Sequence, residues 1–393
     1  MTAARPSLHP PTQAGVRSDA SQPPTRVPGT SVAEVIQWSV AEVRYRGTAA
    51  SMMGVAGLIL LGACAGPPAP DQRAFEEHPA AEIAFTASGD IGTTPEAAAT
   101  LAQIPALDAE FHIALGDLSY GDPGDEPAWC EFVAGHVGAG FPVQLIAGNH
   151  ESDGLDGHID AFAECLPERL PGMVGEYARR YYVDVPAGAP LARLVMISPG
   201  ITFDDGSWSY ADGSERSAWT RRAIEGARTS GIPWVIVGMH KPCLSVGNYE
   251  CDPGPEIADL LVSAGADLVI SGHEHLYQRT AQLGHGPRCD SIAPDEIAVD
   301  CIVDDGDHLE QGAGTVFVTV GTGGTALRDV HSGDREAGYF VAWSGANAEP
   351  SWGNLRVGLS RSALVVDFVP AVGAFTDEFG IAAADMPSEP VDR

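Results

Sequence analysis

A chain of 393 residues, 44% of them hydrophobic, is long enough for one large α/β domain or two small ones. Its formal net charge of -31 argues against binding nucleic acid or an anionic membrane through a basic face, because long-range repulsion opposes either encounter. Lys241 is the only lysine, so an anionic substrate must be drawn in by local charge, and bound metal ions are the obvious source.

In chain order, residues 1–42 are rich in Pro, Thr, Ser and Ala and lack apolar periodicity, which predicts a disordered leader and a true start near Val43. Residues 43–64 then read as an export signal. Arg44 and Arg46 precede an apolar stretch from Met52 that is too short to span a membrane comfortably. The stretch ends in LGAC, similar to the lipobox of bacterial lipoproteins, which makes Cys64 the lipidation candidate. The expected location is the outer face of the cytoplasmic membrane, held there only by the lipid anchor, or else secreted. Residues 65–80 form a Pro-rich linker, 81–385 one catalytic-sized domain and 386–393 a tail. Of 7 cysteines, the 6 beyond Cys64 fall as sequence neighbours: Cys130 with Cys165, Cys243 with Cys251, Cys289 with Cys301. An even set in an exported chain predicts disulfides, though six cysteines admit about fifteen pairings.

From Ile83 onward, short apolar runs alternate with helix-like segments, the pattern of an α/β fold. Predicted strands are 83–88, 111–115, 143–147, 181–185, 194–198, 234–238, 267–271 and 315–320. Predicted helices are 95–104, 215–229 and 255–264, with Pro95 and Pro255 suited to a first turn. The segment from Leu355 to Val369, followed by FTDEFGI, alternates like a hairpin that would complete a sheet.

Five polar motifs each follow a predicted strand: GDIG from Gly89, GDLSY from Gly116, GNHE from Gly148, MHKP from Met239 and GHEH from Gly272. Open α/β sheets bind ligands beyond the carboxyl ends of their strands, so these scattered motifs converge. In extended chain His273 and His275 point to one side, and two imidazoles aimed at one volume suggest a metal.

Together these motifs, spanning roughly 81–280, resemble the calcineurin-like metallophosphoesterases, and within them the purple acid phosphatases. YYVDV with LVMIS, and VGTGGT from Val320, agree further. The resemblance implies a four-layer αββα sandwich carrying two metals about 3.5 Å apart. Where most of the superfamily has DxH, this chain has Gly92 in place of the histidine; Tyr120 of GDLSY supplies the ligand that purple acid phosphatases use instead. Carried over by position, the first metal takes Asp90, Asp117, Tyr120 and His275. The second takes Asp117, Asn149, His240 and His273. A tyrosinate ligand favours Fe(III) at the first site, with divalent Fe, Zn or Mn at the second.

The implied activity is hydrolysis of a phosphorylated small molecule, a phosphate monoester first, by attack of a metal-bound hydroxide. Asp117 and His150 are the catalytic candidates, His150 as the proton donor to the leaving alcohol. Asn149, His150 and Lys241 are the candidate substrate contacts, and Arg279 is either a phosphate contact or a surface ion pair. Several purple acid phosphatases carry further substrate-contacting histidines after the fourth motif, but here the stretch KPCLSVGNYECDPG has none. That leaves a phosphodiesterase or nucleotide hydrolase as the rival enzyme, and a surface lipoprotein that binds phosphate or metal without turnover as the rival from another class. Glu151 and Glu274 are expected behind the ligands or in solvent. The acidic insertion between Arg288 and Gly314 is unassigned.

Overall fold

The computed structural model describes residues 81–384 except 153 and 295. The leader, the signal, Cys64, the linker and the tail lie outside the described residues, which all fall within the unit Gln72–Arg393.

Two sheets form the middle of the domain. The first runs, in spatial order, 308–310, 377–382, 363–372, 352–359, 83–88, 111–114 and 143–145. The second runs 340–344, 277–280, 316–320, 268–271, 234–238, 192–196, 180–185 and 174–176. The strands 83–88, 111–114 and 143–145 pair in parallel, as do 192–196, 234–238, 268–271 and 316–320. These strands are buried over their whole length, which is why they read as largely apolar runs, with Gln144, Arg193 and His112 as buried polar exceptions. The carboxyl-terminal strand 352–359 closes antiparallel onto 83–88, as the hairpin pattern predicts.

Contacts between the sheets seal the core. Trp234 Nε1 donates to Ser360 O at 2.7 Å, Tyr181 donates to Leu145 O at 2.9 Å, and the Tyr277 and Phe368 rings lie 4.6 Å apart. Helix Pro95–Gln103 packs on strands 352–359 and 363–372 of the first sheet, and Glu215–Thr229 packs on 192–196 and 234–238 of the second. The architecture is the expected αββα sandwich.

Local chemistry sets the helix ends. Thr94 caps the first helix by accepting from Ala97 N at 3.0 Å, and Ser214 does the same for Ser217 N at 3.0 Å. Pro255 stands at the N-cap position with no side-chain cap bond, so helix Glu256–Ala264 begins one residue later than predicted. All three neighbouring cysteine pairs are disulfides: Cys130–Cys165, Cys243–Cys251 and Cys289–Cys301. Three such bonds fit an oxidising, extracytoplasmic compartment. No helix among the described residues is long and apolar enough to cross a membrane.

Candidate metal centre

Each motif loop leaves the carboxyl end of its strand, and the loops are laced to one another. Asp90 N donates to Gly116 O at 3.1 Å, Ile91 N to Asp117 O at 3.1 Å, and Gly272 N to His240 O at 2.9 Å. Gly116 has φ +86, and a Cβ there would sit 2.6 Å from Gly148 N and 2.7 Å from His240 Nδ1, so only glycine permits the approach. Of the seven non-glycine residues with positive φ among the described residues, four are Asp90, Asp117, Tyr120 and His273. Left-handed backbone costs energy for such side chains, and here it collects where the candidate ligands converge.

Asp117 stands between two sets of donors. Its Oδ1 is 3.2 Å from His240 Nε2, and Asn149 Oδ1 is 3.1 Å from the same nitrogen. Donor atoms of Asp117, His240 and His273 lie within 4.8 Å of one another. On the other side, the Tyr120 hydroxyl is 3.4 Å from Asp117 Oδ2, 3.1 Å from Asp90 Oδ1 and 3.2 Å from His275 Nε2. His240 Nδ1 donates to Leu115 O at 2.7 Å and His275 Nδ1 to Ala326 O at 3.0 Å. Carbonyls only accept, so Nδ1 carries a proton in both rings and Nε2 is the nitrogen that faces the site. Among the described residues, His273 Nε2 is buried with no hydrogen-bond partner. An orphaned imidazole nitrogen facing a carboxylate and a second histidine fits a cation.

Burial and the clustered charges shift the histidines and the tyrosine in different directions. Burial, helped by charge on His240, pulls His273 down to about 2, which keeps its lone pair available. Burial also opposes charge on His240, but Asp117, Asp90 and Glu151 outweigh it and raise the ring to about 9. Tyr120 is pushed far up by burial and by the carboxylates of Asp90 and Asp117.

The two histidines of GHEH reach neighbouring donor sets, though not by strand alternation. Strand 268–271 has ended, the segment bends, and His273 takes φ 68. His273 N instead donates to Asp90 Oδ2 at 2.8 Å, so a bond from the backbone to the Asp90 carboxylate sets the turn.

Other predicted residues have more local roles. The Lys241 ammonium pairs with Asp252 at 2.7 Å. Arg279 is neither a phosphate contact nor a surface pair: it is buried, with Nε 2.7 Å from Asp377 Oδ2 and Nη2 2.8 Å from Asp307 Oδ1. Glu151 is buried and accepts from Gly148 N at 2.6 Å, Asp117 N at 3.0 Å and Leu118 N at 3.3 Å. His150 lies beside the site, with Nε2 3.6 Å from Asp117 Oδ2 and its ring 4.6 Å from that of Tyr120. Its Nδ1 pairs with the Asp156 carboxylate. Sequence reasoning passes over Asp156, because an aspartate between two glycines in SDGLDG reads as a turn residue.

The sequence pattern of the calcineurin-like phosphoesterases matches residues 83–277. This chain belongs to the calcineurin-like metallophosphoesterase family, which is consistent with the fold and with the buried Asp/His group. Among curated relatives, purple acid phosphatase 18 of Arabidopsis thaliana is 27% identical over 225 residues, 55% of this chain and 49% of that protein. Fe(3+)-Zn(2+) purple acid phosphatase 12 of the same plant is 24% identical over 261 residues, 62% of this chain and 50% of its own. The chain thus spans about half the length of the curated relatives it matches. A purple acid phosphatase from yellow lupin seeds shares the fold at a TM-score of 0.56 and 16% identity, over 77% of this chain and 54% of that one.

Proposed function

We propose that this chain is an exported phosphomonoester hydrolase of purple acid phosphatase type, with two metal ions. The observation that carries the reading is the Tyr120 hydroxyl set among Asp90, Asp117 and His275, on the side of Asp117 opposite His240 and Asn149. Asp90, Asp117, Tyr120 and His275 would hold one ion; Asp117, Asn149, His240 and His273 the other. Burial and two carboxylates keep the Tyr120 proton in place, so only a strongly charged cation converts it to tyrosinate. That supports Fe(III) at the tyrosine side and divalent Fe, Zn or Mn opposite, the latter in keeping with the metals in the name of one relative. When bound, such a pair supplies Lewis acidity toward the phosphoryl oxygens and acidifies water.

The chain's own residues do the rest. Asp156 holds the His150 Nδ1 proton, which fixes the tautomer and stabilises the imidazolium that delivers a proton from Nε2 to the leaving alcohol. Lys241 orients phosphate only by giving up Asp252. Cys64 anchors the mature chain by a lipid.

The test is hydrolysis of a chromogenic phosphate monoester and the matching bis-ester by purified protein, with and without chelator. Chelator-sensitive monoesterase activity, with a visible absorption band abolished by Tyr120→Phe, is expected. Preference for the bis-ester assigns the phosphodiesterase or nucleotide hydrolase role, and cleavage of neither by metal-loaded protein overturns the enzyme reading in favour of binding without turnover.

A further inference from the structure

Two of the three candidate histidine ligands are oriented by hydrogen bonds from Nδ1 to a backbone carbonyl. Such partners fix the ring and tautomer of a metal-binding histidine. Among the described residues His273 has no bond of this kind; its ring is held by packing. The Tyr249 ring lies against it with centroids 4.2 Å apart and planes 23° apart, and His240 meets it edge-on at 5.0 Å.

Tyr249 is itself held from several directions. It sits between Cys243 and Cys251, whose disulfide closes the loop. Its backbone N–H donates to Glu274 Oε1 at 2.6 Å, so the glutamate between the two histidines ties this loop to the GHEH turn. Ser245 Oγ reaches the same carboxylate oxygen at 3.3 Å. The Arg328 guanidinium lies 4.7 Å from the Tyr249 ring centroid, and its Nη1 donates to His273 O at 3.3 Å. A tyrosine carried by a stapled loop and anchored from the ligand turn therefore packs on the one candidate histidine ligand that, among the described residues, lacks a carbonyl partner.

We propose that Tyr249 is a positioning residue for the metal centre: its ring does for His273 what Leu115 O and Ala326 O do for His240 and His275. This rests on the reading of His273 as a ligand. The requirement is for a flat ring on His273, not for a phenol, and the loop acts through Glu274 and Arg328 rather than by touching substrate. Loss of the ring frees the imidazole to turn, and only the ion held with Asn149 and His240 weakens.

The probe is Zn(II) titrated calorimetrically into metal-free full-length protein, with bound metal counted after dialysis. Tyr249→Leu, which keeps bulk without a flat ring, should weaken one of two sites by about 10-fold to 100-fold. Tyr249→Phe should bind as the parent does. His273→Ala is the control for the ligand reading and should lose that site outright. Thermal melts of the metal-free proteins separate unfolding from local loosening, with both Tyr249 variants expected to melt close to the parent. Parent-like zinc binding by Tyr249→Leu, alongside loss in His273→Ala, overturns the positioning role while leaving the ligand assignment intact. Retention of both ions by His273→Ala overturns the ligand assignment itself. Equal weakening by Phe and Leu also overturns the proposal, because it assigns the effect to the hydroxyl.

Discussion

Replacing Glu151 tests whether the metal centre is held by loop-to-loop bonds rather than by the ligands alone. Its carboxylate collects three backbone N–H groups, from Gly148, Asp117 and Leu118, and is itself buried. Those donors lie on the two loops that carry Asp117 and Asn149. Glu151→Gln keeps one acceptor oxygen and puts an NH2 against the remaining N–H. The better orientation leaves the oxygen on Gly148 and Asp117, so one buried donor is orphaned, at a cost of about 1–3 kcal/mol. Glu151→Ala orphans all three and leaves a cavity, so the loss is on the order of 3 kcal/mol or more. Urea unfolding of the metal-free, disulfide-intact proteins measures both, and metal content after dialysis should fall in the same order. An alanine variant within about 0.5 kcal/mol of the parent, with both ions retained, would refute the reasoning.

Burial pulls His112 down to about 3, so the folded state keeps the ring neutral while the unfolded chain protonates below its ordinary value of about 6.5. This favours folding less as pH falls from about 6.5 toward 3, by about 1.4 kcal/mol per pH unit. His112→Asn should therefore flatten the acid limb of a stability-against-pH curve, and equal slopes would remove His112 from the account. Arg279 is buried against Asp377, while the side chain of Asp307, its other partner, is 63% exposed. Asp377→Asn should cost about 3–5 kcal/mol in denaturant unfolding, whereas Asp307→Asn should cost about 1 kcal/mol or less. Similar losses for the two would mean that burial does not decide the worth of this pair.

Much of the second-half fold was legible because parallel strands buried on both faces appear as largely apolar runs, such as WVIVG at Trp234–Gly238. Helix Glu126–Val137 was not legible. Pro127 and Gly135 look like breakers, yet Pro127 stands in the first turn where no N–H is needed. The short edge strands 174–176 and 340–344 also escape: 174–176 is only three residues, all exposed, with no apolar run to mark it, and 340–344 pairs with 277–280, far back along the chain. At the site, the types and order of Asp90, Asp117, Tyr120, Asn149, His240, His273 and His275 were readable, because each follows an apolar strand in a fixed motif.

Sequence alone determined which residues bring donor atoms to the carboxyl edge of the sheets, since donor chemistry and strand order are local properties of the chain. It also placed the cysteines as neighbours. Only the tertiary structure decided how those donors are held: the positive-φ turn at His273, the Glu151 bridge, the Asp156 partner of His150 and the Tyr249 ring on His273. It likewise moved Arg279 from a possible substrate contact into a buried pair with Asp377. The physical reason is that orientation comes from contacts between loops distant in sequence, and a residue's own type and neighbours do not record which loop will pack against it.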